Sequence, residues 1–288
     1  METSQKVKKK SRIKEIAHRF VQRKMAVVGV VIFCFLLLMA LFAPLIAPYG
    51  EDEQDLSNTL APMSAEHPFG TDVVGRDLFS RIVLGSRVSL FVGVISVSIA
   101  LLVGGSLGAI AGFYGGKVDN LIMRFFDVTH AVPTMILAMC ICAALGQGLF
   151  NTMLAVGIAS CPGYARMVRA SVMSAKAQEF VEAARANGAS DFRIIIKHIL
   201  PNCLAPIIVQ VSMGVAGAIL SAASMSFIGL GIQPPAAEWG ALLSGSRAFI
   251  FNRPNLVFFP GLFIMLTIFS LNLIGDGLRD ALDPKLKR

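Results

Sequence analysis

The chain has 288 residues, of which 55% are hydrophobic and only 15% are charged, and its mean hydropathy is +0.68. Soluble domains carry about 25% charged residues, so this composition excludes an ordinary soluble enzyme and predicts a polytopic membrane protein. The net charge of +8 does not indicate a nucleic-acid partner, because the cations follow the predicted membrane topology.

The N-terminal segment 1–24 is basic, and an apolar run over 25–47 follows it. A cleavable signal peptide has an apolar region of about 7–15 residues, which makes this run too long. Pro44 and Pro48 also stand where cleavage requires small residues. We therefore predict a cytoplasmic segment at 1–24 and an uncleaved first transmembrane helix at 25–47.

Five further apolar runs have roughly the 20 residues needed to cross about 30 Å of hydrocarbon. The six predicted spans are 25–47, 88–113, 126–147, 149–168, 203–223 and 256–275. Pro133 interrupts the third span, whose start is predicted to lie at the membrane interface. Segment 48–87 is then an extracytoplasmic loop, 88–275 a five-helix core, and 276–288 a cytoplasmic tail.

The distribution of basic residues predicts the orientation, because cytoplasmic loops carry an excess of Lys and Arg. With the N-terminus inside, 21 of the 26 basic residues fall on the cytoplasmic side. The others are Arg76, Arg81, Arg87, Arg247 and Arg253. Both termini are therefore predicted to be cytoplasmic.

The second span contains Gly104, Gly108, Gly112 and Gly116 at intervals of four residues. Small residues at this spacing let a neighbouring helix approach closely in a membrane. We predict a packing seam along this helix.

A charged stretch, EAARANGASDFRIIIKHILPN (182–202), separates two apolar regions. Good helix formers run from Ala175 to Asn187, and Gly188 suits the C-terminal end of that helix. Ser190 is predicted to cap a second helix that ends at Pro201. Ala183, Ala184 and Ala186 are predicted to give one face little bulk, which suits docking against another protein.

The predicted spans contain no residue pattern typical of an enzyme. Pairs of ionisable residues at membrane depth would indicate catalysis or ion coupling, and the four histidines have no metal-ligand spacing. The segment around Gly116–Lys117 lacks the first glycine and the final hydroxyl of a phosphate-binding loop, since Ala111 and Val118 occupy those positions. We predict no nucleotide, metal or other cofactor in this chain.

The charged stretch resembles the EAA loop of the permease subunits of ATP-binding-cassette importers, with the pattern E-A-A, three residues, G, nine residues, I-x-L-P. Glu182, Ala183, Ala184, Gly188 and Pro201 match it, as does Leu200, and His198 in place of isoleucine resembles the peptide-importer branch. The sequence departs from that branch at two positions. Asn187 stands where an apolar residue is commoner, and Cys161, directly before Pro-Gly-Tyr, stands where a tryptophan is commoner.

Other segments resemble the six-helix partner of the permease pair in the dipeptide, oligopeptide and nickel branch. They are HPFGTDVVGRDLFSRIVLGSRVSL (67–90), PGYARMVRA (162–170), SFIGLGIQPPAAEWGALL (226–243) and NLIGDGLRDALDPKLKR (272–288). The resemblance implies an all-α membrane protein with the type I importer permease fold in a bacterial inner membrane. It covers nearly the whole chain.

The resemblance also implies partners and sites. The partners are a second homologous permease subunit, two ATPase subunits that bind ATP and Mg²⁺, an extracytoplasmic solute-binding protein and the bilayer. The residues it assigns to ATPase coupling, in a loop over about 170–202, are Glu179, Glu182, Ala183, Ala184, Arg185, Gly188, Ala189, Asp191, His198 and Pro201. An outer loop facing the binding protein would contain Gly231, Pro234, Pro235 and Trp239, and this single tryptophan also suits an interface belt.

The predicted function is that of a non-catalytic permease subunit for dipeptides or short oligopeptides. Nickel, metal–chelator complexes and glutathione-like peptides remain alternatives within the same architecture. A stand-alone secondary transporter would show inverted repeats and buried ionisable sites, and a membrane-embedded enzyme would show clustered His, Asp or Glu in the spans.

Overall fold

The computed structural model describes residues 12–282, and side chains from residue 16 onward. The predicted segments 1–24 and 276–288 are therefore described only in part. Within the described residues the chain is helical, without a β-strand, and the only strand-like pairing is a single bridge between Thr71 and Asp77.

Thirteen α-helices make up the described chain. They are α1 Arg12–Gln22, α2 Lys24–Leu41, α3 Ala43–Ile46, α4 Leu78–Ala100, α5 Ser106–Tyr114, α6 Gly116–His130, α7 Thr134–Leu145, α8 Leu149–Lys176, α9 Glu179–Ala186, α10 Asp191–Arg193, α11 Leu204–Ile228, α12 Trp239–Ser246 and α13 Asn255–Leu282. A π-helical turn, Leu101–Gly105, joins α4 to α5. A π-helix, Ile194–Ile199, and a 3₁₀ turn, Leu200–Cys203, join α10 to α11.

Contacts between loops define two ends of the helical bundle. At one end, which we call the Trp239 end, Glu51 contacts Ala237, and Gln147 contacts Gly229. At the opposite end, the Glu179 end, Arg185 of α9 lies over the ring of Phe113 at the end of α5. Within residues 12–282 the chain passes between these ends along α2, α4–α5, α6–α7, α8, α10–α11 and α13, which follows the order of the six predicted spans.

By length and composition, four of these described segments could cross a membrane. They are Lys24–Leu41, Leu78–Tyr114, Asp191–Ile228 and Asn255–Leu282, and the pair α6–α7 makes a fifth if it counts as one span. The predicted span 149–168 lies in α8, which is long enough but less apolar and carries Pro162, Arg166 and Arg169. Much of α8 is buried between α4, α5 and α11, so its surface faces protein more than lipid.

The predicted third span, 126–147, is not one helix. α6 and α7 meet at an angle of 86°. Pro133 stands at the break, where its missing N–H and its ring prevent a continuous helix. The span begins earlier than predicted, at Gly116, and α6 carries most of the polar residues.

The helix predicted to end at Pro201 continues instead to Ile228. The backbone changes from π-helix to 3₁₀-helix at Leu200, and Pro201 falls in the first positions of that new turn. A proline is tolerated there because its N–H would have no helical partner. The second predicted span likewise starts earlier than expected, at Leu78 rather than residue 88.

Glycines of the second span lie against the backbone of α8. A methyl group on Gly104 would lie 2.9 Å from the Cα of Cys161, and one on Gly108 would lie 2.8 Å from the Cα of Ala165. A methyl group on Gly112 would lie 2.7 Å from the carbonyl oxygen of Arg169. Gly116 does not belong to this row, because it begins α6 with φ +54° and nothing lies within 4 Å of that position.

Apolar residues form a core at each end and one between them. The middle core packs α4, α8 and α11. At the Trp239 end, Trp239 packs with residues of α2, α4 and α13. At the Glu179 end, α5 and α8 pack on α9 and the π-helix Ile194–Ile199. The last of these cores fixes the charged stretch to the membrane helices.

Candidate functional site

The charged stretch folds as a short helix with well-defined ends. α9 begins at Glu179 rather than at the predicted residue 175, because α8 continues to Lys176 and the chain turns between them. Glu179 and Glu182 lie in the first turn of α9 and Arg185 in its last turn, which complements the helix dipole.

Gly188 ends α9 in a left-handed conformation with φ +75°. Its N–H donates to the carbonyl of Arg185 over 2.9 Å, and the N–H of Ala189 donates to the carbonyl of Ala184 over 3.1 Å. This pair of bonds is the Schellman motif that favours glycine. Asn187 supports the same turn, since its side-chain amide donates to the Ala183 carbonyl over 2.8 Å.

The next helix starts at Asp191 without the predicted side-chain cap. Ser190 is extended and occupies the N-cap position, but its hydroxyl makes no capping hydrogen bond. Its backbone carbonyl accepts the first helical bond, from Ile194. Asp191 lies in the first turn, where its charge is favourable.

One face of α9 is buried against the bundle. Val181 and Ala184 are buried in the core that also contains Val172 of α8 and the buried Ile194 and Ile199. Ala189 is half-buried against the same core. A displacement of α9 therefore has to move the ends of α8 and of the Asp191–Ile228 helix.

Phe113 joins α9 to the second span. The guanidinium of Arg185 lies 5.7 Å from the centre of the Phe113 ring, and the Lys176 ammonium lies 5.5 Å from it. Lys176 also donates to the Phe113 carbonyl. Such cation–π contacts are favourable by about 0.5–1 kcal/mol where exposed.

The opposite face of the stretch is exposed. From Glu179 to Pro201 its exposed residues are Glu179, Glu182, Ala183, Arg185, Ala186, Asn187, Gly188, Ser190, Asp191, Phe192, Arg193, Ile196, Lys197 and Pro201. Ala183 and Ala186 are exposed but Ala184 is buried, so the three alanines do not share a face as predicted. His198 is half-buried. We call the exposed set the α9 surface.

Phe192 is the residue of this surface that sequence reasoning missed. Its side chain is 75% exposed, and Ile196 one turn later is 49% exposed. The sequence signal for this residue was its position directly after Asp191, at the acidic start of a helix. The α9 surface thus combines exposed charged side chains of both signs with the exposed apolar side chains of Phe192 and Ile196.

At the Trp239 end the structure corrects the prediction for Trp239. The indole is buried, and its N–H donates to the Ile82 carbonyl over 3.0 Å. It therefore belongs neither to an interface belt nor to a surface that could face another protein. Gly231 is also buried, whereas Pro234 and Pro235 are exposed.

Charged side chains hold the loop before α12 in place. The Glu51 carboxylate accepts from the N–H of Ala237 over 2.6 Å. The buried guanidinium of Arg81 donates to Asp72 over 2.8 Å and to the Pro235 carbonyl over 2.9 Å. The segment around 51–72 and the loop before α12 are thereby fixed to α4.

Glu238 is a buried carboxylate at the start of α12. It accepts from the N–H groups of Gly240 and Ala241, each over 2.9 Å. Burial raises the pKa of the Glu238 carboxyl, and these hydrogen bonds act in the opposite direction. Among residues 12–282, no group of three or more His, Cys, Asp or Glu residues is placed to hold a metal ion.

Comparison with protein families matches most of the chain. Residues 104–288 match the family described as "binding-protein-dependent transport system inner membrane component". Residues 11–62 match the "N-terminal TM domain of oligopeptide transport permease C".

Several curated proteins are similar over almost their full length. A "dipeptide transport system permease protein" of Alkalihalophilus pseudofirmus is 51% identical, over 92% of this chain and 88% of its own. A "di/tripeptide transport system permease protein" of Pseudomonas aeruginosa is 44% identical, over 96% and 93%. A "glutathione transport system permease protein" of Escherichia coli is 46% identical, over 95% and 90%.

A solved structure supports the fold. A chain from inward-facing MetNI, a methionine ABC transporter, superposes with a TM-score of 0.58 at 16% identity, covering 72% of this chain and 98% of that one. At that identity the likeness concerns the fold alone. It agrees with the expected type I importer permease fold.

Proposed function

The chain belongs to the family of binding-protein-dependent transport system inner membrane components, and we propose that it is a permease subunit of an ATP-driven importer of dipeptides or short oligopeptides. It forms half of the translocation pathway in a bacterial inner membrane, with both termini in the cytoplasm. It catalyses no bond-making or bond-breaking reaction and holds no cofactor.

The observation that carries this proposal is the α9 surface. Its exposed side carries Glu179, Glu182 and Phe192, while Val181 and Ala184 on its buried side pack on the ends of the membrane helices. A partner docked on the exposed side can therefore transmit its motion to the bundle. We assign this surface to contact with an ATPase subunit.

The proposed assembly has five components. A second homologous permease subunit completes the pathway, two ATPase subunits bind ATP and Mg²⁺ on the cytoplasmic side, and a solute-binding protein docks outside. The exposed Pro234 and Pro235 are the candidates for contact with that protein, while the buried Gly231 and Trp239 position the loop from within.

The mechanism is alternating access. ATP binding closes the ATPase pair, the α9 surfaces of the two permeases follow, and the helices open towards the outside to accept the substrate. Hydrolysis and release return them to the inward-facing state. The coupling element must be rigid for this, and the Schellman motif at Gly188 and the contacts of Phe113 supply rigidity.

Short peptides are the first candidate substrate because relatives named for dipeptides and di/tripeptides are 51% and 44% identical over nearly the whole chain. A glutathione-like peptide is the second candidate, because a relative named for glutathione is 46% identical. Nickel and metal–chelator complexes are alternatives with less support.

The decisive experiment measures coupling in the assembled complex. The subunit is co-purified with its permease partner, ATPases and binding protein, and ATP hydrolysis is measured with and without peptide-loaded binding protein. We expect Glu182→Lys and Gly188→Pro to abolish the stimulation, because one reverses a charge on the α9 surface and the other removes the left-handed turn.

Asp276→Lys is the matched control, since it reverses a charge at an exposed position of α13, outside the α9 surface and away from the end where the binding protein docks. It should retain the stimulation. If the ATPases never associate and the chain alone moves solute, the importer assignment is wrong and a secondary transporter replaces it.

A further inference from the structure

A polar cavity lies beside the coupling element, between the end of α8 and the Asp191–Ile228 helix. It is open to the surface, with a volume of about 450 Å³, and its polar lining consists of Ser171, Ser174, Gln178 and Asn202, beside Pro206. Ligand pockets for small molecules have volumes of about 300–1,000 Å³. The cavity is therefore large enough for a short peptide.

The chemistry of this lining is neutral and has unused hydrogen-bonding capacity. Within residues 12–282 the side chains of Ser174 and Gln178 have no hydrogen-bond partner, whereas the Asn202 amide donates to the His198 carbonyl over 2.7 Å. No carboxylate, ammonium or guanidinium group lines the cavity. Hydroxyl and amide groups both donate and accept, which matches the main-chain groups of a peptide.

A row of small and polar residues leads away from this cavity along α11. From Pro206 it runs through Gln210, Gly217, Ser221 and Ser224, which lie on one face at helical spacing and are at least partly exposed. Met213 lies on the same face between Gln210 and Gly217, close to Gly275 of α13. Nothing lies within 4 Å of a methyl group placed on Gly217. A polar side chain such as that of Gln210 faces hydrocarbon only at a cost, so this face is suited to water or protein.

The row ends at a second cavity near the Trp239 end. This cavity has a volume of about 320 Å³ and is lined by Leu220, Ser224, Phe227 and Ile264, among other residues. From Pro206 to Phe227 an α-helix rises about 32 Å, which matches the hydrocarbon thickness of about 30 Å. Two cavities of different polarity thus lie on one helix face, a membrane thickness apart.

We propose that this face of α11, with the cavities at its two ends, is this chain's side of the substrate pathway, and that the Ser174–Asn202 cavity hydrogen-bonds the main-chain groups of a short peptide before release. The inference rests on the function proposed above and adds a location and a recognition chemistry. Main-chain recognition by neutral groups explains tolerance of different peptide side chains. The apolar cavity at the other end, about 32 Å away, contacts peptide side chains at a different stage of the passage.

The same lining disfavours an unchelated metal ion as the substrate. Sites for hard divalent cations usually include one or more carboxylates, and softer cations are usually bound by several imidazole or thiolate ligands. The cavity has no acidic residue or histidine in its lining, and its one cysteine, Cys203, is buried. Binding here therefore favours amide-containing solutes.

Site-directed labelling in the assembled complex tests the proposal. Ser174→Cys and Asn202→Cys are introduced after the five native cysteines have been replaced by alanine, and a membrane-impermeant maleimide is applied from the cytoplasmic side. We expect alanyl-alanine at saturating concentration to slow the labelling of both positions at least about threefold, as for a ligand that covers a thiol. Asn120→Cys is the matched control, because Asn120 is exposed near the start of α6, at the Glu179 end of the bundle, and does not line the cavity.

A second measurement requires no cysteine replacement. Ser174→Leu fills the cavity and should lower the maximal rate of alanyl-alanine uptake about three- to tenfold, comparable to the loss of a hydrogen bond. Ser98→Leu, on α4 beside the exposed Val94 and Leu102, should leave that rate unchanged, and the amount of complex co-purified reports on folding.

The possible failures are distinguishable. If the wild-type complex takes up no peptide, the proposed function is wrong, and the pathway assignment falls with it. If the wild-type complex takes up peptide but the Ser174→Leu rate is unchanged, or if labelling at 174 and 202 is not slowed by peptide, the cavity assignment alone is overturned.

Discussion

Single side chains at the Trp239 end show how a membrane protein keeps polar groups inside its fold. Arg81 is buried with Asp72 and the Pro235 carbonyl as partners, and Trp239 donates to the carbonyl of Ile82. Glu238 is buried as well, with two backbone N–H groups as donors. Because an unpaired buried polar group is costly, these contacts fix the loop before α12 to a single conformation.

The Glu238 carboxyl makes the stability of the fold depend on pH. Burial raises its pKa above the ordinary value of 4.5, so the folded state binds the proton more tightly than the unfolded state. The stabilisation is complete below the ordinary pKa and is lost as the pH rises through the raised one. We expect the melting temperature of the detergent-solubilised wild type to fall, relative to Glu238→Gln, as the pH rises from about 4.5 towards about 8.

Glutamine has a similar shape but does not titrate, so the difference between the two proteins isolates this carboxyl. The measurement is thermal unfolding of both proteins at a series of pH values. A wild type that gains stability over the variant as the pH rises would contradict the raised pKa.

At the scale of the helix, close backbone packing joins α4–α5 to α8. Gly108 lies directly against Ala165 of α8. Gly104 and Gly112 lie in the same way against Cys161 and Arg169. Small residues bring helices together in membranes because association depends on van der Waals contact. The Asp119–Arg169 ion pair, with both bonds at 2.5 Å, attaches α6 to the same helix.

We expect Gly108→Ala to destabilise the protein by about 1–3 kcal/mol, because the added methyl group overlaps the α8 backbone. Gly163→Ala within α8 is the matched control, since nothing lies within 4 Å of its added methyl group. It should be neutral or stabilising by up to about 1 kcal/mol, as is usual for glycine to alanine in a helix. Unfolding of both variants in detergent measures the difference, and equal stabilities would exclude a tight seam.

The elements that sequence reasoning predicted correctly depend on local rules. The left-handed end of α9 at Gly188 follows from glycine's conformational freedom, and the break at Pro133 from the proline ring. The predicted helix end at Pro201 was wrong, because the helix changes to a π-helical and then a 3₁₀ turn there and so continues past the proline. The prediction for Trp239 was also wrong, because only the three-dimensional neighbourhood shows that this residue is buried.

For the candidate site the same distinction applies. The loop over about 170–202 could be located from its motif, but the split between buried Ala184 and exposed Ala183 depends on how α9 packs on Val172 and Ile194. The cavity beside Ser174 is formed by residues about 30 positions apart in the chain. No periodicity within one segment predicts such a pairing.

At the scale of the whole molecule, one helical segment joins the Glu179 end and the Trp239 end. Leu78–Tyr114 has 37 residues and is about 55 Å long at helical rise. At the Glu179 end its Phe113 contacts Arg185 and Lys176. At the Trp239 end its first turns contain Arg81, which donates a hydrogen bond to the Pro235 carbonyl. Gly85, one turn later, lies close to the backbone of Ala237.

This arrangement predicts that Phe113 takes part in coupling rather than in folding alone. Phe113→Leu keeps an apolar side chain in the core but removes the aromatic ring on which Arg185 and Lys176 lie. The two cation–π contacts are each favourable by about 0.5–1 kcal/mol, so their loss should lower the ratio of peptide transported to ATP hydrolysed by about five- to thirtyfold. The measurement is uptake and hydrolysis in the same proteoliposomes.

Phe251→Leu is the matched control, because Phe251 is 95% exposed at the other end of the molecule. This substitution should leave the ratio unchanged. A Phe113→Leu complex that assembles fully and transports with an unchanged ratio would show that motion reaches the helices through Val181 and Ala184 of α9 instead.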